Sequence, residues 1–352
     1  MQLHNRIDKK VLREQLQQSA EERTTISFYQ YANIENPKQF RDDLYKSLLE
    51  IGVFGRIYVA SEGINAQISV LTANFDQLKA HLDTIDFLKD IRLNIAVDDD
   101  GKSFYKLIIK VRHKIVADGL NDSTFDVTDK GTHVKAPKFN ELASDPNTVI
   151  VDMRNHYESE VGHFKDAIVP QVETFREELP FVEELLHDQK DKNLLLYCTG
   201  GIRCEKASAY FRHKGFKNVY QLEGGIINYT RQVQKEGLEN KFIGKNFVFD
   251  ERLGERITED IVSNCHQCGK PADRHINCAN DACHLLFIQC EECASKLEDC
   301  CSNKCHDFSK LPKEERSRLR ITETFNGTKF SKNTASKNLL RNDIQANFEE
   351  IQ

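Results

Sequence analysis

Leu194-Leu-Leu-Tyr-Cys-Thr-Gly-Gly-Ile-Arg-Cys204 decides the fold. Its opening residues form a short, leucine-rich apolar run, the pattern of a strand buried in a parallel sheet. Such a strand delivers Cys198 to the carboxyl edge of the sheet, where open α/β sheets place ligands. Gly200 and Gly201 let the chain curl so that backbone N–H groups converge on one point. A helix predicted to begin near Cys204 and to end at Gly215 aims its positive end at the same point. A thiolate there is stabilised, so the Cys198 thiol is expected to be acidic. Arg203 adds a fixed cation or anchors the loop. The environment suits a nucleophilic thiol, or a persulfide whose terminal sulfur takes several N–H donors. The plain alternative is a structural cysteine in a strand-to-helix turn; the Gly-Gly pair and the arginine favour the reactive one. Thr199, Gly200, Gly201 and Ile202 separate Cys198 from Arg203. A tyrosine-phosphatase-type loop has one residue more and cradles a whole phosphate, so the smaller ring favours a sulfur-sized group.

The flanks extend the pattern. Val149-Ile-Val-Asp-Met-Arg154, then Glu158 and Gly162-His-Phe164, precede the loop, and Val219-Tyr-Gln-Leu-Glu-Gly-Gly225 follows it. With Cys198 to Arg203 these stretches resemble rhodanese domains over about residues 139–237. The resemblance implies a parallel α/β fold in which Asp152 and Arg154 brace the active loop. Cys204 stands where many rhodanese loops carry serine. It is either a second thiol able to form a disulfide with Cys198 or resolve a sulfenic acid, or a small residue at a helix N-terminus.

Upstream, TTISFYQYA is β-rich, and a helix follows Pro37 with Phe40, Leu44, Leu48 and Ile51 on one face. FGRIYVA and INAQISV read as strands joined tightly through Ser61-Glu62-Gly63. Residues 74–88 carry Phe75, Leu78, Leu82 and Ile85 as one helical stripe, and IRLNIAV and FYKLIIKVRHKIV are extended. The β-α-β-β-α-β order is the ferredoxin-like split motif. In the last stretch Lys106, Lys110, Arg112 and Lys114 alternate with Leu107, Ile109, Val111 and Ile115. One strand face is therefore expected to be core and the other cationic, a solvated surface or a platform for a phosphate backbone.

Downstream lie nine of the eleven cysteines, between Cys265 and Cys305. Cys265-x2-Cys268 and Cys290-x2-Cys293 are knuckles that can close one four-thiolate site. Cys278, Cys283, Cys300, Cys301 and Cys305 can supply another, with His266, His275, His284 and His306 as alternates. Structural zinc is the expected occupant, because so short a stretch has little core of its own. The spacing does not match ferredoxin iron–sulfur runs. The alternative is a set of metal-free thiols.

Charged residues are 30% and hydrophobic ones 39% of the 352, ordinary for a globular chain of two or three domains. No apolar run is long enough to span a bilayer. The opening MQLHNRIDKKVLREQLQQ is polar, so neither a signal peptide nor an anchor is expected and the compartment is expected to be the cytoplasm. A net charge of -6 speaks against coating nucleic acid by bulk charge and leaves room for a local basic face. There is no Rossmann glycine fingerprint and no two-His–carboxylate iron site, hence no flavin, nucleotide or iron motif. The organisation expected is a helical lead-in and ferredoxin-like domain over 1–116, a linker over 117–138, a rhodanese-like domain over 139–240, a cysteine-rich region over 241–310 and a polar basic tail over 311–352.

Ser61-Glu-Gly-Ile-Asn-Ala-Gln-Ile-Ser69, Cys198 to Lys206, Cys265-His-Gln-Cys268 and Cys283-His-Leu-Leu-Phe-Ile-Gln-Cys290 together resemble the bacterial TrhO (YceA-like) rhodanese-domain tRNA hydroxylases, over about residues 2–305. The resemblance implies an oxidoreductase that uses O2 to convert the wobble uridine of tRNA to 5-hydroxyuridine. It implies tRNA as partner, no DNA or membrane partner, and an electron donor still to be identified. In that setting Cys198 adds to C6 of uracil, or carries an activated oxygen or sulfur species, and Arg203 with the loop N–H groups stabilises the developing charge. The alternative is a sulfurtransferase with a persulfide on Cys198. A third reading, an inert rhodanese fold used for binding, is disfavoured by the intact loop.

Overall fold

The structure, a computed structural model, describes residues 7–120, 125–325 and 327. A lead-in helix α1 (Lys9–Gln18) opens where the Asp8 side chain accepts from the Lys10 N–H at 2.8 Å and buries Leu12 and Leu16.

The first domain is β1 (Arg23–Tyr31), α2 (Pro37–Glu50), β2 (Phe54–Ala60), β3 (Gly63–Leu71), α3 (Phe75–Asp83) and β4 (Asn94–Ile95), followed by β5 (Leu107–Val111). The sheet order β4-β1-β3-β2 with antiparallel neighbours is the ferredoxin-like arrangement, and β5 adds to the far edge parallel to β2. Asn36 caps α2 by accepting from the Gln39 N–H at 3.1 Å, with Pro37 in the first turn. Period-two alternation turns Ile26, Phe28, Ile57, Val59, Ile64, Ala66, Ile68 and Val70 inward. They pack on Leu44 and Leu48 of α2 and Leu78 and Leu82 of α3. Gly63 holds the tight link: its φ is +142° and a Cβ there would stand 2.0 Å from the Gln30 carbonyl oxygen. Among the described residues no helix of this domain covers the other face, which carries Ser27, Tyr29, Arg56, Tyr58, Asn65 and Gln67.

The stretch expected to be extended through Val116 is a strand only as far as Val111. Lys110 and Arg112 are exposed there and Lys106 is half-buried. Lys114 is not part of the cationic face: its Nζ pairs with buried Asp118 at 2.8 Å and donates to the Leu120 carbonyl at 2.8 Å.

The second domain is β6 (Thr132–Val134), α4 (Ala136–Ala143), β7 (Thr148–Asp152), α5 (His156–Ser159), β8 (Gly162–Phe164), α6 (Phe175–Leu185), β9 (Asn193–Tyr197), α7 (Ile202–His213), β10 (Asn218–Leu222) and α8 (Gly225–Glu236). Its parallel sheet has the order β6-β10-β9-β7. Leu194 to Tyr197 are at most 2% exposed, as a strand covered on both faces requires. The segment read as a linker over 117–138 is shorter than expected, because β6 pairs with β10 and α4 begins at Ala136. Only Val134 of β6 is buried, so the strand left no apolar period to read. Of that segment, 121–124 lie outside the described residues.

After residue 240 the chain stays bound to this domain. β11 (Phe242–Asn246) pairs antiparallel with β8 and with β12 (Glu255–Arg256). Phe164 sits in a ring of aromatics, Phe139, Tyr197, Tyr229 and Phe242, with centroids 4.4–5.3 Å away. The cysteine-rich region adds the hairpin β13 (His275–Asn277) and β14 (Leu286–Ile288), then α9 (Glu291–Leu297) and α10 (Asn303–Lys310). The expected tail begins with a further helix, α11 (Lys313–Leu319), which Arg316 ties to Asp281 at 3.1 Å; residues 328–352 lie outside the described residues. Among the described residues no helix is long and apolar enough to cross a membrane.

Candidate active site

Cys198 ends the run of β9 and is fully buried. The loop curls as the glycines allow: Gly201 has φ +98°, and its N–H donates to Cys198 Sγ at 3.1 Å. α7 begins at Ile202, two residues earlier than predicted, and directs its first turn at the sulfur. Burial pushes the thiol up. The hydrogen bond from Cys204, the Arg203 charge and the N–H groups of Cys204 and Arg203 outweigh it and bring Cys198 down to about 6. At pH 7 such a group is about tenfold more thiolate than thiol. Cys204 moves the other way, raised first by burial and then by its hydrogen bond to Cys198.

Arg203 anchors the loop as well as charging it. Its two terminal nitrogens meet the two carboxylate oxygens of Glu158 at 2.7 and 2.8 Å, and Glu158 is fully buried. Asp152 and Arg154 form a wholly buried pair with a closest contact of 2.6 Å. Their side-chain hydrogen bonds go to each other and to the segment before the loop, not to the loop itself. Arg154 donates to the carbonyls of Gly162 at 2.6 Å and Glu158 at 3.3 Å, and so holds the segment that carries Glu158. Glu158 is thus the direct brace. The sequence showed it only as part of a signature, and its partner was not legible. Glu178 was missed altogether: it is fully buried, and burial keeps its carboxyl well above the usual range beside the Arg203 charge.

The open face of the first domain covers the loop. Tyr29 Oη donates to Glu205 Oε1 of α7 at 3.0 Å, and Lys206 Nζ reaches Glu62 at 3.0 Å. From the third side, Val97 N–H donates to Glu255 at 3.1 Å. Between these contacts lies a cavity of about 450 Å³. Its floor is Cys198 to Gly200 with Arg203, its roof includes Ser27, Tyr29, Arg56, Tyr58, Asn65, Gln67 and Asn94, and its wall includes Phe249 and Arg252. Lys110 and Arg112 extend the roof face outward from β5. The roof residues were not expected, since an open sheet face leaves no motif. Their signal was the polar phase of β1 and β3, opposite the apolar one.

Away from the cavity, two sets of cysteine sulfurs converge. Those of Cys265, Cys268, Cys290 and Cys293 lie within 4.8 Å of one another, the grouping expected. Those of Cys278, Cys283, Cys301 and Cys305 form the second set. Cys300 is left out, its Sγ directed to Ser309 Oγ at 3.9 Å, and none of the alternate histidines joins either set. S···S distances of 3.6–3.7 Å match the ~3.8 Å edge of a tetrahedron with zinc–sulfur bonds of about 2.3 Å. The second set also receives N–H groups from Cys301, Asn280 and Gly327 at 3.3–3.4 Å, the bonds a metal-held thiolate takes. The residues therefore fit two four-thiolate metal sites.

Three family models match consecutive parts of the chain: a UPF0176 acylphosphatase like domain over 23–115, a rhodanese-like domain over 135–232 and a rhodanase C-terminal region over 243–306. A Photorhabdus laumondii protein named tRNA uridine(34) hydroxylase is 56% identical over 329 residues, 93% of each chain. Proteins of the same name from Pectobacterium atrosepticum (56% identical, 97% of this chain and 96% of its own) and Yersinia pestis (55% identical, 96% and 95%) agree. This chain belongs to the tRNA uridine(34) hydroxylase family. A crystal structure of a rhodanese-like domain protein from Staphylococcus aureus is similar over 28% of this chain and 90% of its own, at 21% identity and a TM-score of 0.23. The similarity to these hydroxylases covers 93–97% of the chain and so takes in all three parts, not the rhodanese-like domain alone.

Proposed function

We propose that this chain hydroxylates C5 of uridine 34 of tRNA, with O2 as co-substrate and Cys198 as the reactive thiol. The observation that supports this most is the cavity that sets an acidic thiol under a polar sheet face. Its volume lies in the range of small-ligand sites, and the amides and hydroxyls of its roof suit the hydrogen-bonding edge of a base turned out of the anticodon loop.

In this reading the Cys198 thiolate adds to C6 of uracil, and C5 becomes an enolate-like nucleophile that meets oxygen. Gly201 N–H and the first turn of α7 hold the sulfur's charge before attack and after release. Thr199 and Ile202 complete the loop, and Arg203 contributes its charge while Glu158 fixes its position. The first domain supplies the roof and, through Lys106, Lys110 and Arg112, contacts to the phosphate backbone. Each four-cysteine set holds a zinc ion that ties the C-terminal region together; zinc here supplies folding energy. The protein acts in the cytoplasm, where tRNA and reduced thiols coexist.

Mass spectrometry of tRNA nucleosides from a deletion strain carrying either the intact gene or Cys198→Ala tests the reading. Loss of 5-hydroxyuridine derivatives with Cys198→Ala is the expected result. Loss of thiolated bases with 5-hydroxyuridine retained would replace it with a sulfurtransferase.

A further inference from the structure

Beyond its effect on the acidity of Cys198, Cys204 has no chemical task in the site. It is fully buried at the start of α7, with its N–H bonded to the Gly201 carbonyl at 3.0 Å. Cys204 and Cys198 are both buried free thiols of one apolar cluster, near enough that each shifts the other's ionisation. Cys198 lines the cavity and Cys204 does not. This places Cys204 where it meets Cys198 from behind, out of reach of a substrate.

Hydroxylation by O2 leaves an electron balance to be met. O2 takes up four electrons in becoming one hydroxyl and one water. The C5–H bond of uridine provides two, and two more must come from elsewhere. We propose that the Cys198–Cys204 dithiol provides them, with Cys204 resolving an oxidised Cys198 into a disulfide once per turnover. This rests on the hydroxylase reading above.

C5 of the Cys198 adduct bonds to O2 and becomes a hydroperoxide. Loss of the C5 proton breaks the C6–S bond, restores the ring double bond and frees the Cys198 thiolate. That thiolate attacks the distal peroxide oxygen; the O–O bond breaks, C5 keeps a hydroxyl after protonation, and Cys198 becomes a sulfenic acid. Cys204 then attacks the Cys198 sulfur. The S–S bond forms, the S–O bond breaks and water leaves. In sum, one C5–H, one O2 and two thiols become one C5–OH, one disulfide and one water. An external dithiol reductant resets the pair by exchange.

The test is a single turnover. Reduced full-length protein, freed of reductant under nitrogen, is mixed with unmodified tRNA in air-saturated buffer. The expected result is a burst of 5-hydroxyuridine no larger than one per chain, an equal amount of Cys198–Cys204 disulfide in a non-reducing peptide map, and resumed turnover on adding dithiothreitol. Cys204→Ser should give the burst and leave Cys198 as a sulfenic acid that dimedone labels. A wild-type burst with both residues still thiols would overturn the dithiol role and leave the hydroxylase reading standing. No 5-hydroxyuridine with or without dithiothreitol would overturn the hydroxylase reading and the dithiol role with it. The wild-type peptide map decides the matter even if the serine variant folds poorly.

Discussion

Tyr29 of the first domain donates its hydroxyl to Glu205 Oε1 of the rhodanese helix at 3.0 Å, and the same carboxylate is shared by His133 at 2.9 Å and Lys130 at 2.9 Å. One buried acid thus joins the roof of the cavity to its floor, a turn away from Cys198.

That joint should be acid-labile. Burial opposes ionisation of Glu205, but the hydrogen bond from His133 and the Lys130 charge outweigh it and hold the carboxyl at about 2, against an ordinary 4.5. A depressed carboxyl contributes stability that is fully present above its unfolded value and is lost as pH falls through the folded one. The Glu205 contribution should therefore persist down to about pH 4.5 and vanish toward about pH 2. Thermal melts across that range should show Glu205→Gln less stable than wild type at pH 7, with the gap closing at low pH. A gap independent of pH would show that the charge of Glu205 does not matter.

Arg203 and Glu158 should separate stability from reactivity. Removing one partner of a buried ion pair leaves the other uncompensated, at a cost of about 3–5 kcal/mol. Glu158→Gln and Arg203→Gln should both lower the melting temperature. Only Arg203→Gln removes the cation that favours the thiolate. The pH midpoint of Cys198 alkylation should stay near 6 in Glu158→Gln and rise in Arg203→Gln. Equal midpoints in the two variants would mean that the loop N–H groups, and not Arg203, set the thiol's acidity.

The buried strand, the Gly-Gly turn and the ferredoxin-like order were legible because each leaves a local pattern: an unbroken apolar run, a positive φ, period two against period 3.6. β6 was not, because a strand with one buried residue has no period. Lys114 was misplaced because alternation in sequence continued past Val111 while the strand did not; an ion pair to buried Asp118 took the side chain instead. Cys300 was indistinguishable from Cys301 in spacing, yet neighbouring residues direct their side chains differently, and only Cys301 meets the other three sulfurs. The cavity roof was hidden for another reason. It is made where two domains meet, and pairs such as Tyr29–Glu205 are 176 residues apart.

The two cysteine sets should each carry one zinc and should be needed for folding of 265–305. That region draws its core from the cysteines themselves: Cys278, Cys283, Cys301 and Cys305 pack with Leu285 and Phe287. Protein purified without added metal should contain about two equivalents of zinc, following from two four-thiolate sites. Chelation should release both and expose the region to protease while the 23–232 core stays intact. Less than one equivalent, with the region protected after chelation, would remove zinc from the account.

Binding of tRNA should depend on the open face of the first domain. A free nucleoside offers little binding energy, so a base held over Cys198 needs backbone contacts nearby. Arg56 reaches the cavity from β2, where Tyr58 pairs in register with Lys110 of β5. Arg112 lies over the Tyr58 ring at 5.5 Å, so the cationic edge runs continuously into the roof. Lys114 is excluded because Asp118 already neutralises it. Each lost phosphate contact should lower the salt slope of binding by about one. Lys110→Ala with Arg112→Ala should therefore raise the tRNA Kd and flatten its salt dependence by about two. Lys114→Ala should leave the slope unchanged and lower the melting temperature, since it takes from buried Asp118 the nearer of its two cations and leaves Lys206 at 3.8 Å. Alkylation of Cys198 by a small reagent should be the same in all three proteins, because none of these side chains touches the loop. Wild-type affinity and slope in the double variant would mean that this face is merely hydrated. The phosphate contacts would then have to come from elsewhere around the cavity, where Arg56 of β2 is exposed.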